Sequence, residues 1–213
     1  MRLALAALLL VALMASALLK ADTTTINFET FPDGKPITDS SPITTQFPGL
    51  IFTNTMVLSA GIGLNEFELP PHSGTNVAFD NGGPISIFFA APILSFSAYF
   101  TYYEPLTVEG FDALNNEVAS ATSAYSTNIG CDPGPPPTCL GDPGSSPNEF
   151  LQVNSPGDIV SVTITGDPAG TSFVMDDMTY TTPGAAVPEP SGIALFSTML
   201  LTILGLHKLL GMR

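Results

Sequence analysis

Between residues 22 and 182 no window of about ten residues carries an apolar stripe at the helical period. Apolar and small polar residues alternate instead in short runs rich in β-branched and aromatic side chains: 26–28, 49–57, 76–79, 85–89, 93–103, 106–111, 160–164 and 173–180. Turn residues separate the runs. Pro32, Asp33 and Gly34 form one group, Asn81, Gly82 and Gly83 another, and Gly166, Asp167 and Pro168 a third. Gly and Asn tolerate positive φ, and Pro pre-sets φ for a turn. Many short strands with frequent turns imply an all-β fold, an antiparallel β-sandwich of jelly-roll type, with residues 22–182 as one domain. Residues 133–147 are too rich in Pro and Gly for a strand and read as an inserted loop. There is no internal repeat and no regular Thr-x-Thr array of the kind that would suit ice binding.

The two ends have a different character. Arg2 precedes an apolar run at 3–13, and Ala15, Ser16 and Ala17 offer a small-x-small cleavage pattern. Residues 1–21 therefore read as a helical signal peptide, with a second cleavage position after Ala21 and an uncleaved membrane anchor as the alternative. At the other end, residues 183–213 comprise a linker and an apolar segment closed by His207, Lys208 and Arg213. Residues 192–212 are enough for a transmembrane helix, since a span takes roughly 20 residues, and the terminal cations suit a cytoplasmic side. Just before it stand Val187, Pro188, Glu189, Pro190 and Ser191. This tail resembles the PEP-CTERM sorting signal. The resemblance implies an exported protein held at the inner membrane by its C-terminal helix. An exosortase-type enzyme then cleaves it and releases it to the cell envelope or the exterior. The basic end departs from the pattern, with two cations among apolar residues rather than an arginine cluster.

Charge narrows the partners. All 19 carboxylates lie between Asp22 and Glu189, with Lys35 the one Lys or Arg in that span, so the mature domain carries about −18. Nucleic acid is excluded, because binding it needs Lys and Arg to neutralise phosphates. Cys131 and Cys139 are close in sequence, even in number and in an exported chain, which argues for a disulfide. Without a nearby His they do not make a zinc site.

The central domain resembles the calcium-stabilised, carbohydrate-binding-module-like β-sandwiches of this secretion class. The residues that carry the likeness are 26–38, 49–53, 71–77, 93–97 and 173–180. It implies that the first and last strands lie side by side, which would bring Glu29 to Asp176 or Asp177, with Asn76 and backbone carbonyls completing a structural calcium (Ca2+) site. Alternation along a strand would put Asp176 and Asp177 on opposite faces, so that one of them ligates.

Catalytic signatures are absent from the sequence. The pairs Glu66/Glu68 and Glu104/Glu109 are spaced for a glycosidase, but nothing marks a cleft around them. His72 sits in a turn without a nucleophile, so there is no triad. Tyr99, Tyr102 and Tyr103 belong to an aromatic cluster that could stack on sugar rings, although alternation sends about half of that cluster inward. The expectation is a non-enzymatic envelope or matrix protein associated with exopolysaccharide, with a structural calcium site. The alternative is a glycan-binding module using exposed tyrosines.

Overall fold

The computed structural model describes residues 21–184. The expected signal peptide, the linker from residue 185, the expected sorting motif 187–191 and the expected terminal helix lie outside the described residues.

Among the described residues there is no helix. The first six strands are β1 (Asp22–Ile26), β2 (Ser41–Ile43), β3 (Leu50–Thr53), β4 (Thr55–Ser59), β5 (Asn76–Asp80) and β6 (Ile85–Tyr102). They are followed by β7 (Thr107–Phe111), β8 (Glu117–Thr122), β9 (Cys131–Asp132), β10 (Thr138–Cys139), β11 (Glu149–Thr165) and β12 (Phe173–Thr182). Every ladder is antiparallel, in the order β2-β4-β5-β12-β6-β11-β7-β8, with β1 added to β12 and β3 to β6.

Two long strands make the sandwich. The first half of β6 pairs with β3 and the second half with β12. Its partner β11 follows it throughout, with register shifts between Asn154 and Ser161. Bulges of this kind let a strand bend from one layer into the other. One core fills the space between the halves. Ile87, Val108 and Val162 come from one side and Phe96, Phe100, Met175 and Met178 from the other. Burying a side chain of this size is worth roughly 1.5–3 kcal/mol.

The strand boundaries differ from the sequence reading in instructive places. The runs 85–89 and 93–103 form one strand of 18 residues, with Pro92 inside it. The run 49–57 is two strands, because Asn54 takes a φ of 53° and turns the chain between β3 and β4. The first strand ends at Ile26, before Phe28, whose φ is 59°. Strands β2 and β8 carry too little apolar alternation to stand out, and the first half of β11 alternates only over Leu151 to Asn154 before Pro156 and Gly157 interrupt it. Cys131 and Cys139 form the expected disulfide, which closes the β9–β10 ribbon within the inserted region.

A second, smaller core sits on the outer face of the layer that contains β4, β5 and β12. Val77 and Val174 from the strands pack with Leu64 and Leu69 of the β4–β5 loop and with Ile129 of the insertion. Loops therefore cover the apolar half of that outer face.

Candidate functional site

The first and last strands do lie side by side. Asp22 to Ile26 of β1 pair with Thr182 to Met178 of β12 over five registers. On the same edge of β12, β5 pairs with Val174 and Met175. Between these two partners β12 carries a register irregularity from Asp176 to Thr179, with Asp177 at a φ of 46°. The turn 72–76 and Glu29 close over this gap.

The four residues expected to hold calcium meet here, but they face hydrogen-bond donors. Glu29 Oε1 accepts the backbone N–H groups of Thr75 at 2.7 Å and Asn76 at 2.8 Å. Asp176 Oδ2 accepts Ser73 N–H at 2.8 Å, and its Oδ1 accepts Asp177 N–H at 2.6 Å. Asp177 Oδ2 lies 2.6 Å from His72 Nδ1, and Oδ1 accepts the Ser73 hydroxyl at 2.9 Å. Asn76 donates its amide to the carbonyls of Phe28 and Ile37, and its Oδ1 accepts the Ser59 hydroxyl. Calcium needs a shell of oxygen acceptors. This turn presents N–H groups instead, a lining that suits the acids themselves. As arranged, the set does not fit a calcium ion. The alternation expected for the two aspartates also fails. The left-handed residue at the irregularity brings Asp176 and Asp177 to the same turn, so both meet Ser73. Burial raises the Asp176 carboxyl to about 6, against the pull of the backbone N–H groups of Ser73, Asp177 and His72. Gly74, at a φ of 59°, is required for this approach. A Cβ there would come within 2.3 Å of Glu29 Oε1.

The three tyrosines separate. Tyr102 is a correction to the sequence reading: it is fully buried, with its hydroxyl on Glu149, and cannot take a sugar. Tyr103 is partly exposed and donates its hydroxyl to Glu68 at 2.7 Å. Tyr99 lies on the outer face with one ring surface already occupied. The His72 ring stacks on it at 3.4 Å between centroids and 7° between planes. Phe150 packs beside Tyr99 at 5.3 Å and is half exposed.

Next to this stack the outer face is uncharged and hydroxyl-rich. The register aligns Thr25, Thr179, Ser97 and Gln152 across β1, β12, β6 and β11. The neighbouring row is Thr23, Thr181, Ser95 and Asn154. Tyr99 and Phe150 are paired in the next row, toward His72. Thr25 and Thr179 join hydroxyls at 2.8 Å, and Thr23 and Thr181 at 3.2 Å. Gln152 and Asn154 are exposed. The absent Thr-x-Thr array is thus built in part by pairing, since β1 and β12 each carry one such pair in register. Sequence reading missed this face, His72 and Phe150. The signal available was the period-two spacing of Thr23/Thr25, Ser95/Ser97 and Thr179/Thr181, which means little until the strands are neighbours.

Two of the acids considered for glycosidase chemistry, Glu66 and Glu68, are engaged elsewhere. Glu66 accepts Gly61 N–H at 2.9 Å, and N–H donors, its own among them, hold its carboxyl below the usual range. Glu68 holds Tyr103. Among the described residues no group of three or more His, Cys, Asp or Glu is placed to hold a metal ion.

Comparison with known proteins gives partial likenesses. No protein-family model matches the chain, and no curated protein matches it. Among solved structures, a cleaved adhesin domain of Lys-gingipain is 14% identical, with a TM-score of 0.45, covering 75% of this chain and 98% of its own. A family 29 carbohydrate-binding module solved with cellulohexaose is 10% identical, with a TM-score of 0.40, covering 78% and 94%. A family 22 xylan-binding domain from Paenibacillus barcinonensis is 12% identical, with a TM-score of 0.38, covering 79% and 100%. Overlap at this level does not define what this chain binds.

Proposed function

We propose that the protein is an exported, non-catalytic β-sandwich module that binds a neutral polysaccharide on the hydroxyl-lined outer face. The observation that carries this reading is the pair of rows from Thr23 and Thr25 to Asn154 and Gln152, with Phe150 at their end. Seven of these eight uncharged side chains are at least partly exposed, Ser97 being buried between its neighbours. Side chains that donate and accept hydrogen bonds match a ligand made of hydroxyls, and an aromatic ring beside them supplies an apolar platform. The surrounding domain is strongly acidic, so a patch without carboxylates favours a neutral chain over an anionic one.

This order of readings reverses the sequence expectation, in which a structural calcium site came first. The acids of the joint already have donors, whereas the open polar face has no role in the core. The export and sorting reading stands beside it: a signal peptide brings the chain across the membrane, and Val187, Pro188, Glu189, Pro190 and Ser191 direct exosortase-type processing.

Affinity electrophoresis in gels containing neutral glucan, mannan or xylan tests the binding reading, with alginate as an anionic control. At least one neutral polymer is expected to retard the protein, and Asn154→Ala with Gln152→Ala to release it. No retardation by any of the three would sink the proposal.

A further inference from the structure

We infer that His72 is the specificity-determining residue of this face, accepting a hydroxyl hydrogen of a bound neutral sugar at Nε2. The inference rests on the glycan reading above and goes beyond it by assigning one atom a recognition role.

The first observation is where the ring is held. His72 belongs to the β4–β5 loop, yet its ring lies flat on Tyr99, a residue of the open sheet face. Tyr99 follows Ser97 by two residues of an extended strand, about 7 Å at ~3.3 Å per residue. His72 therefore stands at the border between the loop-covered apolar half of the face and the open hydroxyl half. A ligand lying on Thr25, Thr179 and Gln152 has the imidazole as its neighbour on that side.

The second observation is how the ring is oriented. Nδ1 is 2.6 Å from Asp177 Oδ2. A carboxylate only accepts, so Nδ1 carries the hydrogen. In the neutral ring Nε2 is then left with its lone pair, and it has no hydrogen-bond partner among the described residues. The side chain retains 35% of its exposure, enough for a ligand to reach it. Backing of one imidazole nitrogen by a carboxylate, so that the other is oriented toward its target, is a general way of fixing a histidine.

The third observation is why the ring stays there. Ser73, Thr75 and Asn76, on the same turn, donate to Asp176, Glu29 and Asp177. The acid cluster that looks like a cation site in sequence instead anchors the turn that carries His72. A preorganised acceptor loses little entropy on binding and discriminates by the orientation of the hydroxyl it meets.

The test uses the full-length protein with cellohexaose, mannohexaose and xylohexaose, neutral chains that differ in the number and orientation of their hydroxyls. His72→Phe keeps a ring on Tyr99 and removes both nitrogens. It is expected to melt as the wild type does, to weaken binding of the preferred probe about tenfold, the value of one hydrogen bond, and to change the order of affinities. His72→Gln, which retains a donor for Asp177 and a polar tip, is expected to keep the wild-type order. Phe150→Ala separates the two readings, because loss of the platform should weaken all probes without reordering them. If Phe150→Ala weakens binding while His72→Phe binds with wild-type affinity and order, the glycan reading stands and the role of His72 falls. If the wild type binds none of the three, both fall.

Discussion

At the scale of single residues, the most constrained polar group is Asp80. It is fully buried at the end of β5, and its oxygens accept the N–H of Ser172 and Phe173 and the Ser172 hydroxyl at 2.8–3.0 Å. Its own carbonyl accepts Thr171 N–H, so one residue ties the β5–β6 turn to the β11–β12 turn. Burial raises this carboxyl above its ordinary range, and the Phe173 and Ser172 donors oppose the rise. A carboxyl raised on folding gives its full contribution to stability below the unfolded value, about 4, and loses it as pH rises through the folded value. Asp80→Asn keeps one oxygen for the two N–H groups and can offer its amide to Ser172 Oγ. The stability advantage of the wild type over Asp80→Asn should therefore shrink as pH rises from 3 to 7 in urea unfolding. A difference that does not move with pH would contradict this account. Asp80→Ala leaves three donors unpaired in the core and should cost roughly 3 kcal/mol at pH 3, a cost that shrinks with rising pH in the same way.

At the scale of elements, what was legible and what was not have separate physical causes. Strands with one buried face, β7 and the cores of β6 and β11, show period-two alternation, whereas β5 and the start of β12, buried on both faces, read as short continuous apolar runs. Strands β2 and β8 could not be read from sequence, because exposed or polar residues leave no pattern, and the alternation of β11 over Leu151 to Asn154 is cut short by Pro156 and Gly157. The neighbouring of β1 and β12 came from a family resemblance and is present, whereas the chemistry at their joint followed from local conformation. Asp177 at a φ of 46° breaks the alternation, and a turn that presents N–H groups takes the acids as acceptors. No spacing rule shows which way a turn's amides point. The consequence can be measured at the joint itself. The melting temperature is expected to be the same in millimolar calcium and in excess chelator, since ligand binding to the folded state would otherwise raise it. A large calcium-dependent rise would mean that the turn reorganises, and would return Glu29, Asp176 and Asp177 to the role of ligands.

At the scale of the whole molecule, the fold has a bearing on how the chain is finished. The pairing of Asp22 with Thr182 brings the two ends of the sandwich to adjacent strands, so the domain is complete once β12 is in place. Residues 21–183 form one compact unit. The sorting motif begins at Val187, after the last paired residue, Thr182. Cleavage near Pro188, Glu189 and Pro190 would therefore remove none of the described strands and leave the hydroxyl face, the acid joint and the disulfide intact. This separation is what a released binding module needs, because its stability must not depend on the segment that is cut away. In cells of the source organism, the wild-type protein should be recovered outside the inner membrane, shortened at its C-terminus and melting as a folded domain. Glu189→Ala should accumulate in the inner-membrane fraction at full length after signal-peptide removal. Equal release of the two proteins would remove the sorting reading, while leaving the polysaccharide face to be judged by its own binding experiment.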